Sequence, residues 1–267
     1  MTRLAHKLST LPVYRQIAYQ IAEEIKAGAR PPNSRLPSER ELAERFGISR
    51  MTARAAIDLL QRRGLVSRRS RSGVFVAQPK VRFDLSSPQG LHQQLEQAGI
   101  KPGAKIITAE IVPMKAVDAR VMRALSLTEA DEVYHIVRLR TANEEPIALE
   151  NSFFPVRLFP DLLDFNLTES IYGILKKYYS VEPAQSFQEL ETSLLDEEWA
   201  AVMGVPVDLP TLEIRRCAMT EKGEPFEYAH DIYRGDRIIF TARTVRPGMS
   251  PVSPVPERAS EGLGPCS

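Results

Sequence analysis

The sequence predicts an α+β protein of two domains, three helices with a short hairpin in residues 1–77 and an antiparallel sheet with flanking helices in residues 90–247. Hydrophobic residues recur at helical spacing in the first part and alternate at strand spacing in the second. A polar, proline-bounded stretch at 78–89 separates the two patterns and is predicted to be a linker. The net charge also changes sign between the two parts.

Three helices are predicted in the first domain. The first spans Leu11–Ala27, where apolar residues recur every four positions. Ser38 and Glu41 form the pattern of a capping box at the start of the second helix. Ser49 caps the third helix, which is predicted over Arg50–Arg63.

A two-stranded hairpin is predicted after these helices, at Leu65–Ser67 and Val74–Val76. Together these elements describe a winged helix-turn-helix, in which Gly47 lies in the short turn before the third helix. Arg50 and Arg54 lie one turn apart near the start of that helix, where readers of the DNA major groove place their base contacts. Arginines at this spacing also occur on solvated helix faces, but the whole arrangement favours double-stranded DNA as a partner.

The charges are divided unevenly along a chain whose net charge is +1. Residues 1–82 hold 17 Lys and Arg against 6 Asp and Glu, whereas residues 83–267 hold 18 against 28. Such asymmetry indicates a polyanionic partner for the first part, although two domains that merely differ in charge would give the same counts.

Composition excludes several classes of protein. No run of 18 apolar residues is present, so a membrane-spanning helix is not expected. The first residues lack the apolar stretch of a signal peptide, which predicts a cytoplasmic protein. Cys217 and Cys266 are too few for a disulfide framework or a cysteine-rich zinc site. No cofactor and no metal are expected.

The second domain is predicted to open with a helix at Leu91–Ala98. Seven strands follow, at Lys105–Pro113, Glu132–Thr141, Pro146–Phe154, Phe187–Leu194, Leu212–Thr220, Phe226–Arg234 and Ile238–Arg246. Helices are predicted at Ala116–Leu125, Ser170–Tyr179 and Glu197–Met203, the last two after the candidate caps Thr168 and Asp196. Hairpin signals at 142–145 and 221–224 favour an antiparallel sheet. Residues 248–267 are predicted to be a disordered tail.

Two groups of motifs carry a resemblance to a known family. Residues 36–43, 47–54, 59–66 and 73–76 resemble the GntR superfamily of bacterial transcription regulators over about the first 77 residues. The motifs at 145–151, 170–172 and 204–206 resemble the UTRA effector domain of the HutC subgroup over residues 90–247. This resemblance implies a chorismate-lyase-like fold used for sensing, a homodimer, and repression at a pseudo-palindromic operator that a ligand controls.

The resemblance also implies which residues contact DNA. The family's contacts fall on Arg40, Ser49, Arg50, Thr52, Arg54 and the tip of the wing, which here contains Arg69 and Arg71. The family usually has glycine at the tip, where this chain has Arg71. An arginine there either enters the minor groove or faces a phosphate.

Strand alternation predicts a site for an anion in the second domain. Arg138 and Arg140 share one strand face, and the hairpin places Glu150 opposite Arg138 on that face. Glu227 and Tyr233 share a face of a later strand. Paired arginines suit a phosphate or carboxylate, because a guanidinium donates two parallel hydrogen bonds. Carboxylates would accept hydrogen bonds from sugar hydroxyl or amine groups.

Sugar-phosphate sensors of the subgroup suggest a division of roles within this site. The resemblance implies that phosphate is bound by Arg138, Arg140, Ser170 and Tyr172, and sugar by Glu150, Glu227 and Tyr233. The alternative is that Arg138 and Glu150 form a structural ion pair and the rest is surface. His92, in a segment that differs from those sensors, is either a determinant of the ligand's head group or a helix-surface histidine.

The effector is therefore predicted to be a small anion, such as a phosphorylated (amino) sugar. Urocanate and phosphonate-related compounds remain open alternatives. The sequence does not separate a repressor from an activator. An enzyme of lyase-like fold is disfavoured, because no Ser-His-Asp or Cys-His grouping is legible.

Overall fold

The protein, described here from a computed structural model, forms two compact units that divide between Pro79 and Lys80. The structure describes residues 11–69 and 72–244. The helical unit contains the α-helices α1 (Val13–Lys26), α2 (Glu39–Phe46) and α3 (Arg50–Arg62) and the hairpin strands β1 (Val66–Arg69) and β2 (Gly73–Val76).

Side-chain caps set the starts of α2 and α3, as the sequence predicts. The Ser38 hydroxyl accepts a hydrogen bond from the Glu41 N–H at 3.3 Å, while the Ser38 N–H donates to the Glu41 carboxylate at 2.7 Å. The Ser49 hydroxyl accepts from the Thr52 N–H at 3.1 Å. Gly47 ends α2 with a φ of 63°, a left-handed conformation that glycine adopts without strain.

One hydrophobic core holds these helices together. Its buried side chains come from all three helices and from β1, and include Ile17, Ile21, Leu42, Ala53, Ile57, Leu60 and Val66. Val13, the first member of the four-residue series in α1, is half exposed instead. Because Ala53, Ile57 and Leu60 face this core, the opposite side of α3 is left to solvent.

The sheet unit is built on six antiparallel strands, which confirms the predicted fold class. The strands are β4 (Pro102–Pro113), β5 (Glu132–Ala142), β6 (Glu145–Pro155), β7 (Gln185–Leu194), β8 (Pro210–Met219) and β9 (Pro225–Arg234). Their order in the sheet is β4-β5-β6-β9-β8-β7. Two three-stranded meanders are therefore joined along the pairing of β6 with β9.

The sequence predicts a linker over residues 78–89. The structure differs from this prediction, because the segment contains the strand β3 (Val81–Asp84). This strand pairs in parallel with β10 (Ile238–Thr241), and the pair forms a separate two-stranded sheet. Val81 and Phe83 are buried on one face, which explains why a short, mostly polar stretch becomes a strand. The strand predicted at Ile238–Arg246 is correspondingly shorter and lies outside the main sheet.

Side-chain caps also explain where two helices differ from their predicted extents. In place of one helix at Ala116–Leu125, a 3₁₀ turn is followed by α5 (Ala119–Ala124), because the Asp118 carboxylate accepts from the Arg120 N–H. Thr168 does not cap the next helix, since its hydroxyl donates to the Asn166 side chain at 2.7 Å.

Ser170 caps that helix instead. The helix α6 (Ile171–Ile174) continues into one wide π turn at Leu175–Tyr179. The remaining helices, α4 (Leu91–Gln97) and α7 (Glu197–Met203), lie close to their predicted positions.

Within residues 11–69 and 72–244, no helix is long and apolar enough to cross a membrane. The same residues contain no group of three His, Cys, Asp or Glu side chains arranged to hold a metal ion. The predicted tail at 248–267 lies outside the described residues.

Candidate functional site

The exposed face of α3 carries the polar residues that the sequence assigns to DNA. Arg50 and Arg54 are exposed and make no ion pair with the described residues. The Ser49 and Thr52 side-chain oxygens lie 2.9 Å apart at the start of the helix. Arg40, on α2, is also exposed, and its Nη1 lies 3.8 Å from the equally exposed carboxylate of Glu44. These cationic groups are therefore free to meet phosphates or base edges.

One exposed residue of this face was missed by the sequence-based interpretation. Met51 is 72% exposed, the largest value among the exposed large hydrophobic residues of the described chain. An apolar side chain next to Arg50 can contact a thymine methyl group in the major groove. Its place in the first turn of α3 was the signal that could have found it.

The wing is described only in part. Arg69 is the last residue of β1 and pairs with Gly73. Arg71 lies outside the described residues, so its contact with DNA stays a prediction.

The second candidate site is a cleft in the sheet unit. The structure brings all seven predicted effector residues to its walls, namely Arg138, Arg140, Glu150, Ser170, Tyr172, Glu227 and Tyr233. The empty volume is about 400 Å³, including the open mouth.

Arg138 and Glu150 pair directly across β5 and β6. The Arg138 Nη2 donates to Glu150 Oε2 at 2.5 Å, and Nη1 donates to the carbonyls of Leu167 at 2.9 Å and Glu169 at 3.0 Å. Both charged side chains are largely buried. Arg138 therefore ties the strand pair to the segment that leads into α6.

Arg140 has a donor that is not satisfied. Its Nη1 donates to Glu150 Oε2 at 3.3 Å and its Nη2 lies 3.4 Å from His92 Nδ1. Its Nε is buried and has no hydrogen-bond partner among the described residues. Buried polar groups are rarely left unpaired, so this donor is unusual among the side chains that line the cleft.

The two arginines control the charge of Glu150. Burial alone would raise the pKa of the Glu150 carboxyl, but Arg140 and Arg138 outweigh burial and lower that pKa to about 2. Glu150 is thus a carboxylate at neutral pH, able to accept hydrogen bonds from a ligand.

His92 lines the cleft and is not a helix-surface histidine. Its side chain is only 17% exposed, with Nε2 3.4 Å from Glu96 and Nδ1 facing Arg140. Burial and the charge of Arg140 lower the pKa of His92, which keeps the ring neutral at pH 7. A neutral ring can accept one hydrogen bond and donate another.

A second polar cluster lines the same cleft from the neighbouring strands β8 and β9. The Tyr172 hydroxyl donates to the Glu227 carboxylate, which also accepts from Arg216 Nε at 3.4 Å. Arg216 Nη1 lies 3.4 Å from Asp231 Oδ2, and the Tyr233 hydroxyl donates to the same oxygen at 3.3 Å. Arg216 was missed by the sequence-based interpretation, although it shares the inward face of β8 with Ile214 and Ala218.

Asp231 lies beneath this cluster and is fully buried. Burial raises the pKa of its carboxyl to about 7, and Arg216 reduces the effect of burial only in part. Glu150, Glu227 and Asp231 thus face the three arginines Arg138, Arg140 and Arg216, and the cleft is more positive whenever Asp231 holds its proton.

Ser170 lines the cleft as the N-cap of α6. Its hydroxyl oxygen accepts from the Gly173 N–H at 3.1 Å, which leaves its proton free to be donated. α6 has only four residues, so its helix dipole contributes little to the binding of an anion here.

His230 and Asp231 do not form a catalytic dyad. As the strand alternation predicts, they point to opposite faces of β9: His230 Nε2 lies 2.8 Å from Glu213, whereas Asp231 faces Arg216.

Each of the two units matches the model of a known protein family. The model of bacterial regulatory proteins of the gntR family matches residues 13–76, and the UTRA domain model matches residues 97–239. The chain is 35% identical to the HTH-type transcriptional repressor NagR of Bacillus subtilis, over 88% of this chain and 96% of that protein.

Two further proteins are similar over most of the chain. The mannosyl-D-glycerate transport/metabolism system repressor MngR of Escherichia coli is 29% identical, over 86% of this chain and 95% of its own length. The crystal structure of PhnF from Mycobacterium smegmatis superposes with a TM-score of 0.61 at 25% identity, covering 85% of this chain and 98% of that one.

Proposed function

Because this chain belongs to the gntR family of bacterial regulatory proteins and carries a UTRA domain, we propose that it is a homodimeric repressor released from its operator by a phosphorylated (amino) sugar. The observation that carries the proposal is the convergence of Arg138, Arg140, Glu150 and the Tyr172–Glu227 pair on one cleft.

The helical unit supports the DNA-binding role. α3 presents Arg50 and Arg54 to solvent, neither of them ion-paired within the described part of the chain, and its N-terminus carries Ser49 and Thr52. Two such helices in a dimer would read successive major grooves about 34 Å apart, which predicts a pseudo-palindromic operator.

The chemistry of the cleft supports a phosphorylated sugar. The unpaired Nε of Arg140 and the free hydroxyl proton of Ser170 offer donors to a phosphate. The carboxylates of Glu150 and Glu227 offer acceptors to sugar hydroxyl or amine groups. An anion that lacks hydroxyl or amine donors would be repelled by these carboxylates and would form no hydrogen bonds with them.

The names of the relatives support repression and a link to sugars. NagR and MngR are both named repressors, and MngR is named for a mannosyl-D-glycerate system. Release requires that the effector bind one dimer geometry more tightly than the operator-bound one. Operation in the cytoplasm, beside the DNA, belongs to the same proposal.

The experiment uses the full chain and DNA selected from a random duplex pool. Binding of the selected duplex is measured by fluorescence anisotropy across a salt series, with and without the 6-phosphates of glucosamine and N-acetylglucosamine. We expect a palindromic site, an affinity that falls steeply with salt, and release by one of the sugar phosphates. Arg54→Ala is expected to weaken DNA binding about tenfold, whereas Arg157→Ala, at an exposed arginine of the sheet unit, should not.

Two variants of the cleft separate sensing from DNA binding. Tyr172→Phe and Arg138→Ala are expected to keep operator affinity and to lose release, with thermal unfolding used to verify folding. Binding that ignores salt and sequence would contradict the DNA-binding role. A complex that every sugar phosphate leaves intact, or strengthens, would contradict release by this class of effector.

A further inference from the structure

A second depression of the sheet unit opens beside the cleft. We call it the outer groove: it lies between residues 85–90 on one side and residues 183–186 with Gln188 and Leu190 on the other. Its empty volume is about 1090 Å³, open solvent included, against about 400 Å³ for the cleft. None of the residues singled out from the sequence for effector binding accounts for this space, except Tyr172 at its inner end.

The outer groove and the cleft are continuous. Gly90, Tyr172 and Arg216 line both of them. A Cβ atom on Gly90 would lie 3.3 Å from Tyr172 Cδ2, so the absence of a side chain there leaves the passage open. A ligand held in the cleft can therefore extend into the outer groove.

The two spaces differ in chemistry. The cleft is lined by arginines and carboxylates, whereas Arg216, at the junction, is the only charged side chain among the described residues that line the outer groove. Its other polar residues carry neutral hydroxyl or carboxamide groups, namely Ser86, Ser87, Gln89, Gln185, Ser186 and Gln188. Such a surface suits an uncharged, hydroxylated group more than a second anion.

One of these groups is poised for a donor. Gln188 Nε2 donates to the Ser186 hydroxyl at 3.2 Å. Gln188 Oε1 is buried and has no hydrogen-bond partner among the described residues. A ligand hydroxyl would satisfy this acceptor, while Pro183 and Leu190 offer apolar surface to the face of a sugar ring.

We propose that the effector is a disaccharide phosphate, with its phosphorylated ring in the cleft and its second, neutral ring in the outer groove against Gln188. This inference rests on the proposed function, since it takes the cleft as the phosphate site. It adds a subsite and a ligand of about twice the size.

The test is calorimetric titration of the full chain with matched probes. Each pair shares one phosphorylated ring: glucose, mannose, galactose or N-acetylglucosamine 6-phosphate against the corresponding 1,4-linked disaccharide 6′-phosphate. We expect one disaccharide phosphate to bind at least about tenfold more tightly than its monosaccharide partner.

Variants of the outer groove locate the second ring. Gln188→Ala removes the unpaired acceptor, and Ser186→Trp fills the groove from an exposed position on the edge strand β7. Both are expected to lower affinity for the disaccharide phosphate about tenfold and to leave the monosaccharide phosphate unchanged. Gln97→Ala, at an exposed glutamine of α4, is the matched control.

The outcomes distinguish this inference from the function on which it rests. Equal affinities within every pair, or groove variants that change neither affinity, would overturn the outer subsite and leave the sugar-phosphate sensor standing. If no sugar phosphate binds, both proposals fail together.

Discussion

The Asp231 carboxylate accepts a hydrogen bond from the backbone N–H of Asn151 at 3.4 Å. The pairing of β6 with β9 runs through Leu149↔Ile232 and resumes at Ser152↔Ala229, so this carboxylate bridges the gap between two paired stretches. A single titratable side chain thus stands in for backbone pairing at the centre of the sheet.

Stability is expected to depend on the proton of Asp231. Burial raises the pKa of this carboxyl from 3.8 to about 7, so the folded protein keeps the proton up to a higher pH than the unfolded chain does. The stabilisation is complete below pH ~4 and is lost as the pH rises through about 7. Asp231→Asn, which cannot lose a proton, should therefore gain Tm relative to the native chain between pH 5 and pH 8, measured by thermal unfolding.

Asp236→Asn is the control for this prediction. The hydrogen bonds of Asp236 with Arg234 outweigh burial and lower the pKa of Asp236 below 3.8, so no titration of this group is expected between pH 5 and pH 8. Its Tm difference from the native chain should stay constant over that range. A constant difference for Asp231→Asn as well would show that Asp231 is ionised throughout.

Removing the charge of Glu150 should lower the stability of the protein and leave Arg138 and Arg140 able to bind another anion. Glu150→Gln leaves Arg138 and Arg140 buried without a counter-charge, and we expect a loss of about 3 kcal/mol in the free energy of unfolding from urea titration. Inorganic phosphate should restore part of this loss, because an anion can replace the missing carboxylate.

An exposed ion pair supplies the comparison. Glu182→Gln breaks the pair with Lys176, in which both side chains are about 60% exposed, and should cost less than about 1 kcal/mol without any response to phosphate. If phosphate stabilises the native chain and Glu150→Gln equally, then Glu150 does not compete with anions for these arginines.

The hairpin between β5 and β6 offers a stabilising substitution. Asn143 and Glu144 both have positive φ, 49° and 69°, as in a type I′ turn that favours Asn-Gly. Glu144→Gly should raise the free energy of unfolding by about 1 kcal/mol, because it removes the strain of a side chain in this conformation. Glu129→Gly, at an exposed turn residue without positive φ, should lower it slightly by adding freedom to the unfolded chain. A loss of stability in Glu144→Gly would contradict the turn geometry.

Local signals predicted local features well. The capping box of Ser38 and Glu41 can be predicted from the sequence because both partners lie within four residues. The pairing of Arg138 with Glu150 was also predicted, although the structure reaches it through a β-bulge at Arg140/Thr141. Without that bulge, counting from the two-residue turn would place Leu149 opposite Arg138.

Other features depend on long-range packing and were not predicted. The partner of β3 lies 157 residues away in β10, and no local pattern reveals such a pair. Arg216 shares the inward face of β8 with Ile214 and Ala218, but its partners Glu227 and Asp231 lie on β9 and no local pattern reveals them. His92 needed the position of Arg140 before its role at the cleft became visible.

The division of the sheet into two meanders bears on how the molecule folds. Within each meander, neighbouring strands are consecutive in the chain, whereas the β6–β9 pairing joins Ala148 to Tyr233. Pairing between residues so distant in sequence has a larger entropic cost of loop closure. The pairing of β6 with β9, which we call the seam, is therefore the slow step of folding. The cleft draws residues from both meanders and is therefore completed only when the seam closes. A ligand that contacts residues of both meanders stabilises the closed seam. It is therefore expected to lower the rate of unfolding more than it raises the rate of folding.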